Sequence, residues 1–195
     1  MKVALDINGR RHVAEVEPRK TLLDTMREDF ALFGTRAGCE HGVCGACTVL
    51  MDGAPVRSCL IFAVQADGYE IVTIEGLAPE PGELSLIQDA FCETHALQCG
   101  YCTPGMILTA HALLENTSSP TRDDIVEAIS ANICRCTGYG QIVEAIEVAA
   151  ERLRTTNRPV TRKFASDMAV GRGAESDAPH DGRVPARTSS NGEAG

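Results

Sequence analysis

Cys39, Cys44, Cys47 and Cys59 read C-x4-C-x2-C-x11-C, and the first three have the spacing of the plant-type [2Fe–2S] ligand loop. The segment Gly38-Cys39-Glu40-His41-Gly42-Val43-Cys44-Gly45-Ala46-Cys47 is rich in glycine, which lets a backbone wrap closely and aim N–H groups at cluster sulfurs. Such hydrogen bonds, with local charge and exposure, tune a reduction potential. Cys59 is expected to return from an Asp52-Gly53 hairpin and supply the fourth thiolate. A structural zinc site is the alternative chemistry. Zinc sites, however, usually pair two C-x2-C knuckles, and this group has one such pair preceded by a C-x4-C step. With four cysteines available, His41 is expected to be a loop residue.

A second group lies further along. Gln98-Cys99-Gly100-Tyr101-Cys102 supplies a C-x2-C pair, and Cys134-Arg135-Cys136-Thr137-Gly138-Tyr139 supplies a C-x-C pair. The C-x-C step is too tight for a typical zinc knuckle, yet it can place two thiolates on one iron; zinc stays open for this group taken alone. Both pairs sit just before predicted helices, so two helix N-termini are expected to face the site and stabilise its negative charge. The ninth cysteine, Cys92, falls on an apolar stripe with Leu84, Ile87, Phe91 and Leu97 and is expected to pack as a small hydrophobe.

Elements that could position these groups follow from periodicity. Val3, Leu5 and Ile7 alternate up to Asn8-Gly9, and Val13 and Val16 alternate after it, which predicts a hairpin. Thr21 with Asp24 has capping-box form, and Leu22, Leu23, Met26 and Phe30 at helical spacing predict a helix over 21–30. Further strands are predicted over 48–51, 56–61 and 69–74. Strands, one helix and more strands describe a small α+β sheet domain over 1–76. A Pro/Gly-rich linker over 77–83 follows. Helices are then predicted over 84–95, 104–116, 122–131 and 139–153, with Pro104 at a first helical position and Thr121/Asp124 repeating the capping form. They describe a compact four-helix domain over 84–154. The remainder, 155–195, has too little apolar surface to offset ordering entropy and is expected to be a disordered tail.

Composition narrows the function. The net charge of −9 and the lack of a basic run argue against nucleic-acid binding, and the absence of Trp argues against a base-stacking platform. No apolar run reaches membrane-spanning length, and the N-terminus lacks a secretory pattern, so no membrane insertion and a cytoplasmic location are expected. In a reducing compartment nine cysteines point to metal or redox chemistry, and an odd count argues against a fully paired disulfide framework.

Taken together, the loop 38–47, the segment Gln98-Cys99-Gly100-Tyr101-Cys102-Thr103-Pro104-Gly105 and the segment 134–139, in this order, closely resemble the small iron–sulfur subunit of the molybdenum hydroxylases, the xanthine dehydrogenase, carbon monoxide dehydrogenase and aldehyde oxidoreductase family. The resemblance spans residues 2 to 153. It implies a plant-ferredoxin-like β-grasp domain followed by a four-helix domain, with one [2Fe–2S] cluster in each. It also implies partner subunits, a large one with a molybdenum–pterin cofactor and a medium one with FAD, in a hetero-oligomer that is a trimer or a dimer of trimers. Family chemistry is hydroxylation of a substrate carbon with oxygen from water. The two electrons released pass singly through the cluster on Cys99, Cys102, Cys134 and Cys136, beside the pterin, to the cluster on Cys39, Cys44, Cys47 and Cys59, towards the flavin. By position, Gln98 and Cys136 would also contact the pterin. No catalytic residue is expected on this chain. The competing readings are a free-standing two-cluster ferredoxin-type carrier, a cysteine-based redox or iron-responsive regulator, which would lack a basic recognition helix, and a zinc-stabilised interaction module.

Overall fold

β1 (Lys2–Ile7) and β2 (Arg10–Glu15) form the predicted hairpin, registered from Lys2 opposite Glu15 to Ile7 opposite Arg10. Asn8 and Gly9 both have positive φ, 53° and 71°, the pair of left-handed residues that a two-residue type I′ turn requires. The structure is a computed structural model and describes residues 1–78 and 82–156. Val3, Leu5 and Ile7 point to one buried face, as the alternation predicts.

β3 (Thr48–Met51) and β4 (Ala54–Arg57) make a second hairpin, and β5 (Glu70–Val72) fits between the two, antiparallel to β3 and parallel to β1. The order is β2-β1-β5-β3-β4. One face is crossed by a short helix, which gives the β-grasp arrangement. That helix departs from the expectation of regular turns over 21–30. α1 is a single α turn, Leu22–Asp24, which widens into a π-helical turn over Thr25–Asp29. Its cap is as predicted: Thr21 Oγ1 accepts from Asp24 N at 3.1 Å, and the hydroxyl donates to Asp24 Oδ2 at 2.7 Å.

Alternation in the central strands buries the sheet on both faces. Val49 and Ile71 join Leu5, Ile7, Leu22 and Met26 under α1. Their neighbours Leu50 and Val72 point the other way, into the apolar cluster of the helical half. The pairs Val49-Leu50 and Ile71-Val72 are therefore apolar at successive positions, where a one-sided sheet would alternate with polar residues.

The helical half contains α2 (Leu86–Glu93), α3 (Thr103–Asn116), α4 (Arg122–Ile129) and α5 (Gly140–Thr156). α3 is buried almost all round, packed against β3, α2 and α4, as an apolar helix at the centre of a fold must be. α2 begins two residues later than the periodicity suggests, because Ser85 and Gln88 form a capping box, with Ser85 N to Gln88 Oε1 at 2.8 Å and Gln88 N to Ser85 Oγ at 3.3 Å. Starting there, the helix buries Leu86, Ile87, Ala90 and Phe91 and turns Cys92 to solvent, so the expectation that Cys92 is core packing is overturned. α4 carries the predicted Thr121/Asp124 box, a cap worth about 1 kcal/mol. α5 runs to Thr156, two residues into the segment expected to be tail; 157–195, and residues 79–81 of the expected linker, lie outside the described residues. Among the described residues no helix is long and apolar enough to cross a membrane.

Candidate metal centres

The first cysteine group is carried by the loop between α1 and β3 and by the end of β4. Arg27 fixes the approach to the loop, its Nη1 donating to the carbonyls of Phe33 and Thr35 at 3.3 and 2.8 Å. Within the loop Glu40, Gly42 and Gly45 all take positive φ, which coils the chain tightly enough for the Cys44 N–H to donate to Cys39 Sγ at 3.3 Å. Gly45 has a second reason to be glycine: a Cβ there would meet the carbonyl oxygen of Ala131 at 2.6 Å. His41 is exposed and its Nδ1 bonds to the Cys39 carbonyl, so it serves the loop.

Cys59 reaches the group because β4 ends at Arg57, four residues short of the strand predicted over 56–61. Ser58 turns the chain into a 3-10 segment, Ser58–Leu60, by donating both its N–H and its Oγ–H to the Cys47 carbonyl, at 3.3 and 2.8 Å. This brings the buried Cys59 against the buried Cys47. Burial pushes the Cys59 thiol up to about 11, reinforced by its neighbour Cys47. Cys39 goes the other way: the Cys44 N–H, with further backbone donors at His41 and Val43, holds it down to about 6. The N–H donors thus favour the thiolate of Cys39, whereas burial favours the neutral thiol of Cys59.

The second group lies at two helix-entry loops. Cys102 is the N-cap residue of α3, which starts at Thr103, one residue before the expected Pro104, whereas α5 begins at Gly140, four residues after Cys136. Tyr139, with φ of 68°, folds back so that its hydroxyl accepts from Cys134 N at 2.9 Å and donates to the Asn132 carbonyl at 3.3 Å. Burial pushes Cys102 up to about 12, with Cys134 adding to the shift. For Cys134 burial opposes ionisation, but the Thr137 hydroxyl, 3.2 Å from its Sγ, and the Thr137 N–H bring it below its ordinary value. Cys136 is exposed beside the exposed Cys99.

The thiols meet in pairs. Cys39 lies with Cys44 and Cys47 with Cys59; in the second group Cys102 lies with Cys134 and Cys99 with Cys136. The second pairing crosses the two motifs, with Cys134 also close enough to act on Cys136. Among the described residues no three His, Cys, Asp or Glu side chains converge on a single ion position. A two-iron cluster takes two thiolates at each end, an arrangement that these pairs fit. Gln98 is exposed, and its Nε2 donates to the Cys136 carbonyl at 3.1 Å.

The two groups are tied together by residues the motifs do not announce. Ile133 N donates to the Cys44 carbonyl at 2.9 Å, and the Tyr101 hydroxyl donates to the Ala37 carbonyl, with the Arg36 guanidinium 6.0 Å from the Tyr101 ring centre. Arg57 donates to Thr48 Oγ1 at 2.6 Å and to the Ala131 carbonyl. Asn132, two residues before the C-x-C pair, belongs to the same region and is not marked by any motif.

Comparison with known proteins agrees with this architecture. The family profile described as a 2Fe-2S iron-sulfur cluster binding domain matches residues 5–70, and that described as a [2Fe-2S] binding domain matches 73–147. The nicotine 6-hydroxylase small subunit of Paenarthrobacter nicotinovorans is 51% identical over 80% of this chain and 94% of its own length. A chain of quinoline 2-oxidoreductase from Pseudomonas putida 86 superposes with a TM-score of 0.76 at 51% identity, over 79% of this chain and 96% of that one. Aldehyde oxidoreductase from Desulfovibrio desulfuricans ATCC 27774 superposes with a TM-score of 0.75 at 38% identity, over 85% of this chain but 19% of that much longer one.

Proposed function

As the chain belongs to the family of small iron–sulfur subunits of the molybdenum hydroxylases, we propose that it holds one [2Fe–2S] cluster on Cys39, Cys44, Cys47 and Cys59 and a second on Cys99, Cys102, Cys134 and Cys136, as the electron relay of such a complex. The observation that carries the ligand assignment is the gathering of four thiols at each of two places: Cys59 beside Cys47 and Cys39, with Cys44 next to Cys39, and Cys102 beside Cys134 and Cys99, with Cys136 next to both. Bound there, the clusters supply one-electron redox chemistry. The chain's own residues set its terms. Backbone donors such as the Cys44 N–H lower the charge on sulfur, the Thr137 hydroxyl does the same at Cys134, and burial of Cys47, Cys59 and Cys134 keeps the dielectric low.

The partners in this proposal are a large subunit with a molybdenum–pterin cofactor and a medium subunit with FAD, assembled as a cytoplasmic hetero-oligomer. Two facts support it. The nicotine 6-hydroxylase relative is itself a small subunit, and in the Desulfovibrio enzyme the same fold is one part of a longer chain. The second group is assigned to the pterin side, because Gln98, Cys99 and Cys136 are exposed together with Leu97 and Tyr101 around them. The hydrogen bond from Gln98 to the Cys136 carbonyl sets that amide beside that cysteine, and an amide can both donate to and accept from a pterin edge. The first group is assigned to the flavin side, where Val43 and Leu60 leave an apolar rim exposed.

Reduction of the purified complex is expected to give two distinct [2Fe–2S] signals in electron paramagnetic resonance, with iron and no stoichiometric zinc on metal analysis. Stoichiometric zinc without iron overturns the proposal.

A further inference from the structure

Asn132 is buried, with 1% of its surface exposed, and stands two residues before Cys134. Its Nδ2 donates to the Gly45 carbonyl at 2.9 Å and reaches Thr48 Oγ1 at 3.4 Å, while its Oδ1 accepts from Thr109 Oγ1 at 2.9 Å. Gly45 lies between Cys44 and Cys47, so this one amide joins the backbone of the first cysteine loop to the backbone entering the second. Thr109, on α3, orients it. A flipped amide would set Oδ1 against the Gly45 carbonyl, two acceptors face to face, so the arrangement has a single sense.

Neighbouring backbone packs closely on this amide. Ile133 N donates to the Cys44 carbonyl at 2.9 Å from the residue next to Asn132. Gly105 has its missing Cβ position 2.3 Å from the Gly45 carbonyl oxygen and 3.0 Å from Asn132 Nδ2, and Arg57 closes the far side on Ala131. The contact is thus a directional clasp between two loops that each carry a candidate cluster.

We propose that Asn132 is a positioning residue for electron transfer between the two sites: it touches neither cluster but fixes their spacing and holds the Ile133–Cys44 hydrogen bond in place. This rests on the two-cluster reading above. In the step concerned, one electron leaves the second cluster as one enters the first, so the donor is oxidised, the acceptor is reduced and no proton need move. What the protein contributes is separation and orientation, on which such a transfer depends steeply.

The test uses the intact complex. Two reduced clusters held at a fixed distance split each other's resonance lines by a dipolar interaction that falls as the cube of their separation, and the unaltered complex is expected to show that splitting. Asn132→Leu keeps the side-chain size and removes its hydrogen bonds. It is expected to retain iron and both signals, to lose the splitting, and to slow the arrival of an electron at the first cluster after rapid reduction of the second. Wild-type splitting and transfer rate in an Asn132→Leu complex carrying both clusters would overturn the proposal. Should that variant fail to assemble, Thr109→Val, which frees the amide, is compared with Thr109→Ser, which keeps the hydroxyl; only the former is expected to weaken the splitting, and equal splitting in the two overturns the assignment. An unaltered complex without two iron signals instead overturns the two-cluster reading, and this proposal with it.

Discussion

Ile133 donates its backbone N–H to the carbonyl of Cys44 at 2.9 Å, so a residue adjoining Cys134 is hydrogen-bonded to a cysteine 89 positions earlier in the chain. The two cysteine groups are therefore held by one frame, although each is built from its own local segments. The first depends on Arg27, the coiled loop and the Ser58 turn; the second depends on the N-cap of α3 and the Thr137–Tyr139 fold-back.

That division makes the sites separable by mutation. Cys102→Ser removes a thiol from the second group and leaves every hydrogen bond around Cys39, Cys44, Cys47 and Cys59 in place. The expected outcome is that bound iron falls by about half, since each [2Fe–2S] cluster carries two irons, and that one of the two resonance signals survives at full intensity. Loss of both signals from a chain with unchanged circular dichroism would contradict the assignment of four thiols to each cluster.

What could be read from the sequence and what could not divide along the range of the interactions. The β1–β2 hairpin and the Thr21 and Thr121 caps are specified by residues within a few positions of one another, and the structure has them where local rules put them. The spacing of Cys39, Cys44 and Cys47 belongs to the same class. Cys92 fails because its assignment depended on where α2 begins, and the Ser85–Gln88 box moves that start so that the buried stripe passes it by. The early end of β4 fails because its cause, the Cys47 carbonyl, is eleven residues away from Ser58. Asn132 and Arg57 act across 87 and 74 residues, a range at which periodicity and motif spacing carry no signal.

The close approach of α3 to the first loop predicts a position-specific penalty. Gly105→Ala places a methyl 2.3 Å from the Gly45 carbonyl oxygen, where both atoms belong to constrained backbone, and overpacking of this kind costs about 1–3 kcal/mol. Gly53, in the β3–β4 turn, is the control: a Cβ there meets nothing within 4 Å, so Gly53→Ala carries only the cost of a left-handed alanine, about 1 kcal/mol. Thermal midpoints of the two variants measured side by side are expected to rank Gly105→Ala lower, with altered signal shape at the first site. Equal midpoints would show that the helix and loop can separate without cost.

His111 gives the pH dependence its clearest sign. It is 1% exposed on α3, its Nδ1 has no hydrogen-bond partner, and burial holds its pKa below the ordinary 6.5 against the opposing pull of Glu115. A depressed value in the fold means that the unfolded chain takes up the proton first as pH falls. The stability tied to keeping His111 neutral is thus fully present above 6.5 and is lost as pH falls towards the lower folded value. His12, also lowered, first by burial and then by Arg10, adds a slope of the same sign. His111→Leu replaces an incompletely bonded ring by an apolar side chain and removes the titration. At neutral pH its stability is expected to lie within about 1 kcal/mol of the parent or above it, because an unsatisfied polar atom has gone. As pH falls below 6.5 its unfolding midpoint is expected to decline less steeply than the parent's, leaving the His12 contribution. Parallel declines in parent and variant would show that His111 is protonated in the fold as readily as in the unfolded chain.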